Sequence, residues 1–268
     1  MNSKRRRALA VVVVVGVSIG SAAVAMGGGS GRSTDQTKFA VPASDETAFG
    51  VAKCGNHSST TGIGFDLDGG KGFVSSLLLP SSNKATLIAR NESNSQRVNA
   101  TTTAICRSGG GDLIKKNSAL SFTDLSETYV SATCPEGSSV TGGGASLGTG
   151  LLLMASYPAS KRTWRIEAYQ SPPGGGIPIQ AVAICDPKHS YAIKSKADGP
   201  AAQGGSGSNL SATARCRSDQ DTTGGGFTTG KNVHAQVRSS RPKGAGSWVS
   251  EGKLTESRTL TSYAVCRK

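Results

Sequence analysis

The chain has 268 residues, 18% charged and only 5% aromatic, with 30 Lys and Arg against 17 Asp and Glu. Three histidines and six cysteines leave little material for histidine-based metal or acid–base chemistry, and neither a metal nor another cofactor is expected. The shortage of aromatic residues near the basic groups also argues against nucleic acid binding by base stacking.

Lys4-Arg5-Arg6-Arg7, an apolar run from Ala8 to about Gly20, and Ala23-Val24-Ala25 form the three regions of a secretory signal peptide. Residues 1–25 are therefore predicted to be removed after Ala25, giving a secreted, extracellular protein. The alternative is an uncleaved membrane anchor, because Ala8 to Met26 supplies about 19 residues, close to a bilayer span. Cleavage leaves 26 basic against 17 acidic groups. Residues 26–47, rich in Gly, Ser and polar side chains, read as a flexible lead.

Three A-x-C openers then follow, Ala52-Lys53-Cys54, Ala132-Thr133-Cys134 and Ala214-Arg215-Cys216. Each is matched about fifty residues later by an A-x-C closer: Ala104-Ile105-Cys106, Ala183-Ile184-Cys185 and Ala264-Val265-Cys266. This is an internal threefold repeat. It predicts an all-β protein of three tandem antiparallel repeats, 48–107, 127–186 and 210–268, packed with pseudo-threefold symmetry. The spacer 107–126 and a Gly/Ser-rich linker, 187–209, separate them. The closers alternate with period two, as in Ile179, Ala181, Ala183 and Cys185, which is the pattern of a half-buried strand.

In an exported chain, an even cysteine count favours disulfides over metal or redox chemistry. The repeat selects Cys54–Cys106, Cys134–Cys185 and Cys216–Cys266, each closing a loop worth about 4 kcal/mol in the chain-entropy model. A T-G-x-G step recurs at Thr61 to Gly64, Thr141 to Gly144 and Thr223 to Gly226. Its repeated glycines mark a close backbone approach in a sheet. A proline follows at Pro80, Pro158 and Pro242. Six residues beyond it stand Trp164 and Trp248, but Thr86 in the first unit, which must fill its core differently. The tryptophans read as core residues rather than a sugar platform.

Residues 200–268 hold ten Lys or Arg and four Asp or Glu, whereas the three preceding segments each carry one excess cation. The third repeat is thus the expected contact for an anionic partner, through Arg215, Arg217, Arg238, Arg241, Lys243 and Lys253.

Other motifs are incomplete. Gly144-Ala145-Ser146-Leu147-Gly148 matches a nucleophile elbow with no helix pattern after it, and the aligned residues are Asp66 and Thr228. Gly225 to Asn232 is a phosphate loop lacking its final Ser or Thr. Asp66-Leu67-Asp68-Gly69 begins like a calcium loop, with Leu77 where the distal glutamate belongs. Asn56, Asn91, Asn99 and Asn209 head N-glycosylation sequons, relevant in a glycosylating host.

The second unit combines Cys134-Pro135-Glu136-Gly137, Thr141-Gly142-Gly143-Gly144, Tyr157-Pro158, Trp164 and Ala181-Val182-Ala183-Ile184-Cys185. It resembles a repeat of secreted actinobacterial proteins of no established function, a likeness covering about 45–268. A fainter similarity, in C-P-x-G after a strand and the threefold arrangement, is to the vitelline membrane outer layer family. That likeness implies a β-prism of three sheets about a pseudo-threefold axis; neither likeness supplies catalytic residues.

The resulting expectation is a secreted, non-catalytic binding or cell-surface protein that contacts an anionic envelope polymer, or an extracellular protein. The rivals are a secreted hydrolase built on Ser146 or on Asp66 and Asp68, and a structural envelope protein or inhibitor.

Overall fold

The computed structural model describes residues 31–69, 71–108, 114–122, 128–148, 150–170, 177–198, 208–230, 236–254 and 259–267. The signal segment and the Gly/Ser-rich stretch 199–207 lie outside them. All regular structure among the described residues is β. The first repeat contributes β1 (Arg32–Val41), β2 (Glu46–Lys53), β3 (Ser58–Asp68), β4 (Gly72–Ser81), β5 (Lys84–Asn91) and β6 (Val98–Ser108). The second gives β7 (Ile114–Phe122), β8 (Thr128–Thr133), β9 (Ser139–Leu147), β10 (Leu151–Pro158), β11 (Thr163–Gln170) and β12 (Ile177–Asp186). The third gives β13 (Ala192–Asp198), β14 (Ser208–Arg215), β15 (Asp221–Thr228), β16 (Gln236–Pro242), β17 (Ser247–Leu254) and β18 (Leu260–Arg267).

Each repeat therefore has six strands and begins earlier than the cysteine pattern suggests. Its first strand, β1, β7 or β13, lies in what reads from sequence as the flexible lead, the spacer or the linker. Each of these strands is an edge that pairs antiparallel with the last strand of its own repeat. Polar and charged residues suit that position, because an exposed edge must resist pairing with other chains.

The strands form three six-stranded sheets: sheet A (β1-β6-β3-β16-β17-β14), sheet B (β2-β5-β4-β9-β12-β7) and sheet C (β13-β18-β15-β10-β11-β8). Strands one, six and three of one repeat continue into strands four, five and two of another. Sheet A joins repeat one to repeat three, sheet B joins two to one, and sheet C joins three to two. No repeat owns a sheet, so the three form one body.

The third strands β3, β9 and β15 meet where the sheets converge. There Thr61 Oγ1 donates to Thr223 O at 2.8 Å, Thr141 Oγ1 to Thr61 O at 3.1 Å, and Thr223 Oγ1 to Thr141 O at 3.2 Å, closing a ring of three repeats. The glycine after each threonine makes the approach possible. A Cβ on Gly142 would lie 2.3 Å from Thr61 O, one on Gly224 2.3 Å from Thr141 O, and one on Gly62 2.7 Å from Thr223 O.

The three disulfides are those the repeat selects, Cys54–Cys106, Cys134–Cys185 and Cys216–Cys266, with Cα atoms 5.5, 5.6 and 5.5 Å apart. All six cysteines are used. Such cross-links persist in an oxidising compartment.

Trp164 and Trp248 are buried core residues, and their indole N–H groups donate to Ser156 and Ser240. Each ring covers a glycine of its own repeat, Gly143 or Gly225, where a Cβ would come within 2.4 and 2.3 Å of ring carbon. Strand pairing corrects the first-repeat alignment by one residue. Ala52 faces Ala85 as Ala132 faces Trp164 and Ala214 faces Trp248, so Ala85 rather than Thr86 replaces the tryptophan. The missing ring is offset by larger neighbours. Ile63 stands where the other repeats have Gly143 and Gly225, and buried Leu77 where they have Ser156 and Ser240.

Gly142→Ala is expected to cost more than about 3 kcal/mol, because its Cβ meets backbone of another repeat and neither strand can retreat alone. Gly244→Ala, at a turn with positive φ and open space around it, should cost only about 1 kcal/mol. Urea unfolding of both variants measures the difference; equal costs would mean the axis yields easily.

Candidate functional site

Strand exchange divides the six predicted binding residues between two surfaces. Arg215, Arg217 and Lys243 lie at the disulfide end of the molecule. Arg238, Arg241 and Lys253 lie on strands of the outer face of sheet A or toward its opposite end.

At the disulfide end, each loop from strand two to strand three is clamped to the turn between strands four and five. Cys54 N donates to Asn83 O, Cys134 N to Arg162 O, and Cys216 N to Gly246 O, all at 2.7 or 2.8 Å. The clamps present exposed Lys53 and Lys84 from repeat one, Lys161 and Arg162 from repeat two, and Arg215, Arg217 and Lys243 from repeat three. Half-buried Arg107 and Arg267 end the sixth strands beside them. The carboxylates here are Glu136, Asp186, Asp219, Asp221 and Asp35, whose Oδ2 accepts from Lys53 N at 2.8 Å. At the other end, Asp45, Glu46, Asp68, Glu92 and Asp198 stand against Lys71, Arg90, Arg97 and Lys253. Positive charge among the described residues is thus sorted by end as well as by repeat.

Asp186 ties the basic end together. Buried at the end of β12, it accepts from Tyr191 Oη at 2.6 Å, Arg107 Nη1 at 2.9 Å and Lys188 N at 2.8 Å, with His189 Nδ1 also 2.9 Å away. Burial alone would raise its pKa, but the hydrogen bonds from Tyr191, the Lys188 amide, His189 and Arg107 outweigh it and hold the carboxyl at about 2. Burial, with the bond to Asp186, pushes the Tyr191 phenol up. Arg107 belongs to the first repeat and Asp186 to the second, so the network also locks two repeats.

On the outer face of sheet A, Lys38, Thr101, Asp66, Ser239, Glu251 and Ser211 occupy one cross-strand row. Two adjoining depressions, of about 670 and 400 Å³, share Asp66, Asp68 and Arg241 as lining residues. Arg241 lies between two carboxylates, with Nε 3.7 Å from Asp66 Oδ2 and Nη2 3.8 Å from Glu251 Oε2. Burial raises the Asp66 pKa against the pull of Arg241, and Glu251 and Asp68 add to the rise.

Sheet C presents a different face. Four of the five tyrosines, Tyr129, Tyr157, Tyr169 and Tyr263, occupy outward positions there. Tyr157 and Tyr263 stack with centroids 5.0 Å apart, and the Arg165 guanidinium lies 4.5 Å from the centre of the Tyr129 ring. The tyrosines are scattered along the chain, and in the sequence only their parity in alternating strands links them.

Ser146 lies within β9, across from Gln180 and Ser76, and no helix follows it, so the strained turn of a nucleophile elbow is absent. Gly225 to Thr228 likewise belong to β15 and form no loop. Asp66 and Asp68 share an outward face with Glu251 nearby, but Arg241 lies between Asp66 and Glu251, and among the described residues no group of three carboxylates could hold a metal ion. Among the sequon asparagines, Asn91 is fully buried and donates to the carbonyls of Val41, Pro42 and Gln96. No family model matches this chain, and no curated protein matches it either.

Because Asp186 has a folded pKa below its ordinary value of 3.8, its contribution to stability is complete above about pH 4 and is lost as the pH falls toward about 2. Thermal unfolding between pH 5 and pH 2 is expected to show that loss, flattened in Asp186→Asn. The substitution itself should cost about 3 kcal/mol at neutral pH by stranding Arg107. An unchanged acid limb in the variant would place the acid sensitivity elsewhere.

Proposed function

We propose that this is a secreted, non-catalytic binding protein that contacts an anionic envelope polymer through the disulfide end of the molecule. The observation that carries this reading is the gathering of cations from all three repeats on clamped loops at one end. A cation cluster carried on loops held by short backbone bonds needs little loop ordering on contact, so less of the attraction is lost to loop entropy. The field of such an end steers anionic partners over several ångströms and falls with ionic strength, because the Debye length is only about 8 Å at physiological salt.

Arg215, Arg217 and Lys243 are the strongest contributors within the sequence-derived set, since they are exposed at that end. Export fits the signal segment and the three disulfides. Deleting the third repeat is not a usable test of its role, because β14, β16 and β17 complete sheet A and β13, β15 and β18 complete half of sheet C.

Co-sedimentation of the full mature chain with teichoic acid or heparin across a salt series is the direct measurement. Retention is expected to fall steeply with salt. Replacing Arg215, Arg217 and Lys243 together by Ala should weaken it about tenfold at 0.1 M salt, whereas Lys71→Ala with Lys253→Ala, at the far end, should leave it unchanged. Equal losses from both sets would reduce the effect to net charge, and salt-independent retention would remove the reading.

A further inference from the structure

The trench on sheet A has features that the anionic-polymer reading does not use. Its two depressions adjoin at Asp66, Asp68 and Arg241, and each is of ligand-binding size. Its charges alternate: Lys38, then Asp66, then Arg241, then Glu251. An anion lying there would face Asp66, Asp68 and Glu251; a cation would face Lys38, Arg97, Arg238 and Arg241. With four cations and three carboxylates, the lining presents neither sign alone to a ligand.

The central contacts are also incomplete. The gaps of 3.7 and 3.8 Å from Arg241 to its two carboxylates exceed hydrogen-bond length. The guanidinium and both carboxylates stay partly exposed, 34, 41 and 42 % by side chain, and keep hydrogen-bonding capacity toward a ligand. A group that uses both kinds of partner must accept from the guanidinium and donate to a carboxylate, which a hydroxyl does. Around this centre Asn99 and Gln36 add amides, and Thr101 adds a further hydroxyl.

The set is not a by-product of the threefold fold. At the position of Asp66 the other sheets carry Ser146 and Thr228; at that of Arg241, Leu78 and Tyr157; at that of Glu251, Ile88 and Glu167. Only sheet A combines two carboxylates with the guanidinium.

We infer that the sheet A trench binds a neutral, hydroxyl-rich saccharide segment, whose hydroxyls accept from Arg241 and donate to Asp66 and Glu251. Such a site is independent of the basic end and works at high salt. The protein would then hold a neutral glycan on its flank and an anionic polymer at its end.

The test is retention of the full mature chain on four insoluble neutral polysaccharides, cellulose, chitin, β-1,3-glucan and starch, in 0.1 and 0.5 M salt. Retention on at least one is expected, equal within twofold at the two salt concentrations. Arg241→Ala and Asp66→Asn should each lower it by about tenfold or more, the loss of a charge-assisted hydrogen bond of about 1.5 kcal/mol or more. Asn99→Ala, at an exposed strand position, guards against misfolding as the cause and should weaken retention severalfold. The inference is overturned by no retention on any of the four, or by retention that survives all three substitutions. It is also overturned if retention is lost instead in Tyr129→Ala, which would place the glycan on sheet C. The salt-sensitive binding of teichoic acid, with its dependence on Arg215, Arg217 and Lys243, is read separately and stands or falls alone.

Discussion

Three threonine hydroxyls, each reaching the backbone of the next repeat, are the contact on which the rest of the structure depends. Every hydroxyl also lies 3.3 Å from a carbonyl of its own repeat, Ile105, Ile184 or Val265, so each threonine joins a neighbouring strand and its own sheet. The distance is set by the following glycine. With backbone of another repeat within 3 Å of each missing Cβ, a single methyl group would hold the strands apart and open the ring. Thr-Gly at this step is thus dictated by the geometry of three strands crossing near one line. The recurrence of T-G-x-G is the sequence record of that crossing.

From the axis outward, strand exchange follows. Once β3, β9 and β15 are fixed side by side, the free edge of each faces the fourth strand of another repeat, and the sheet continues across the boundary. The first short bridges, Ser76–Ser146, Ala155–Thr228 and Ser239–Asp66, are the seams. A functional face is therefore composite by construction. The trench draws Asp66 and Asn99 from the first repeat and Arg241 and Glu251 from the third. A charge count made repeat by repeat measures a unit that does not exist in space, and this is why the basic third repeat resolves into two unrelated surfaces.

The A-x-C framework, the disulfide pairing, the β class and the core role of both tryptophans were legible because covalent spacing and period-two alternation act locally. The first strand of every repeat was not. Arg32–Val41 and Ala192–Asp198 carry polar or charged residues on both faces, since an edge strand at a corner buries little, and that composition imitates a linker. The residue that replaces the missing tryptophan was misplaced by one because Pro80 was aligned with Pro158 and Pro242. Strand β4 carries irregularities between Leu78 and Ser81, so proline offset and strand register part company there. The trench was legible only as two carboxylates two residues apart; Arg241, 175 positions later, enters through a strand pairing that no local pattern announces.

The repeats also show where the fold constrains its sequence and where it does not. Inward, a change at one position is matched at others: Gly143, Trp164 and Ser156 against Ile63, Ala85 and Leu77 fill equivalent space by different means, because the interior tolerates neither a void nor an overlap. Outward, the same strands carry Asp66, Ser146 and Thr228, or Arg241, Leu78 and Tyr157, with no compensation visible. Packing asks little of these side chains, so the equivalent positions diverge, into a charge-alternating face on sheet A and a tyrosine-rich one on sheet C. A symmetric scaffold that kept three identical faces would offer one surface three times. Three unlike faces on one axis instead display chemically different surfaces at fixed angles.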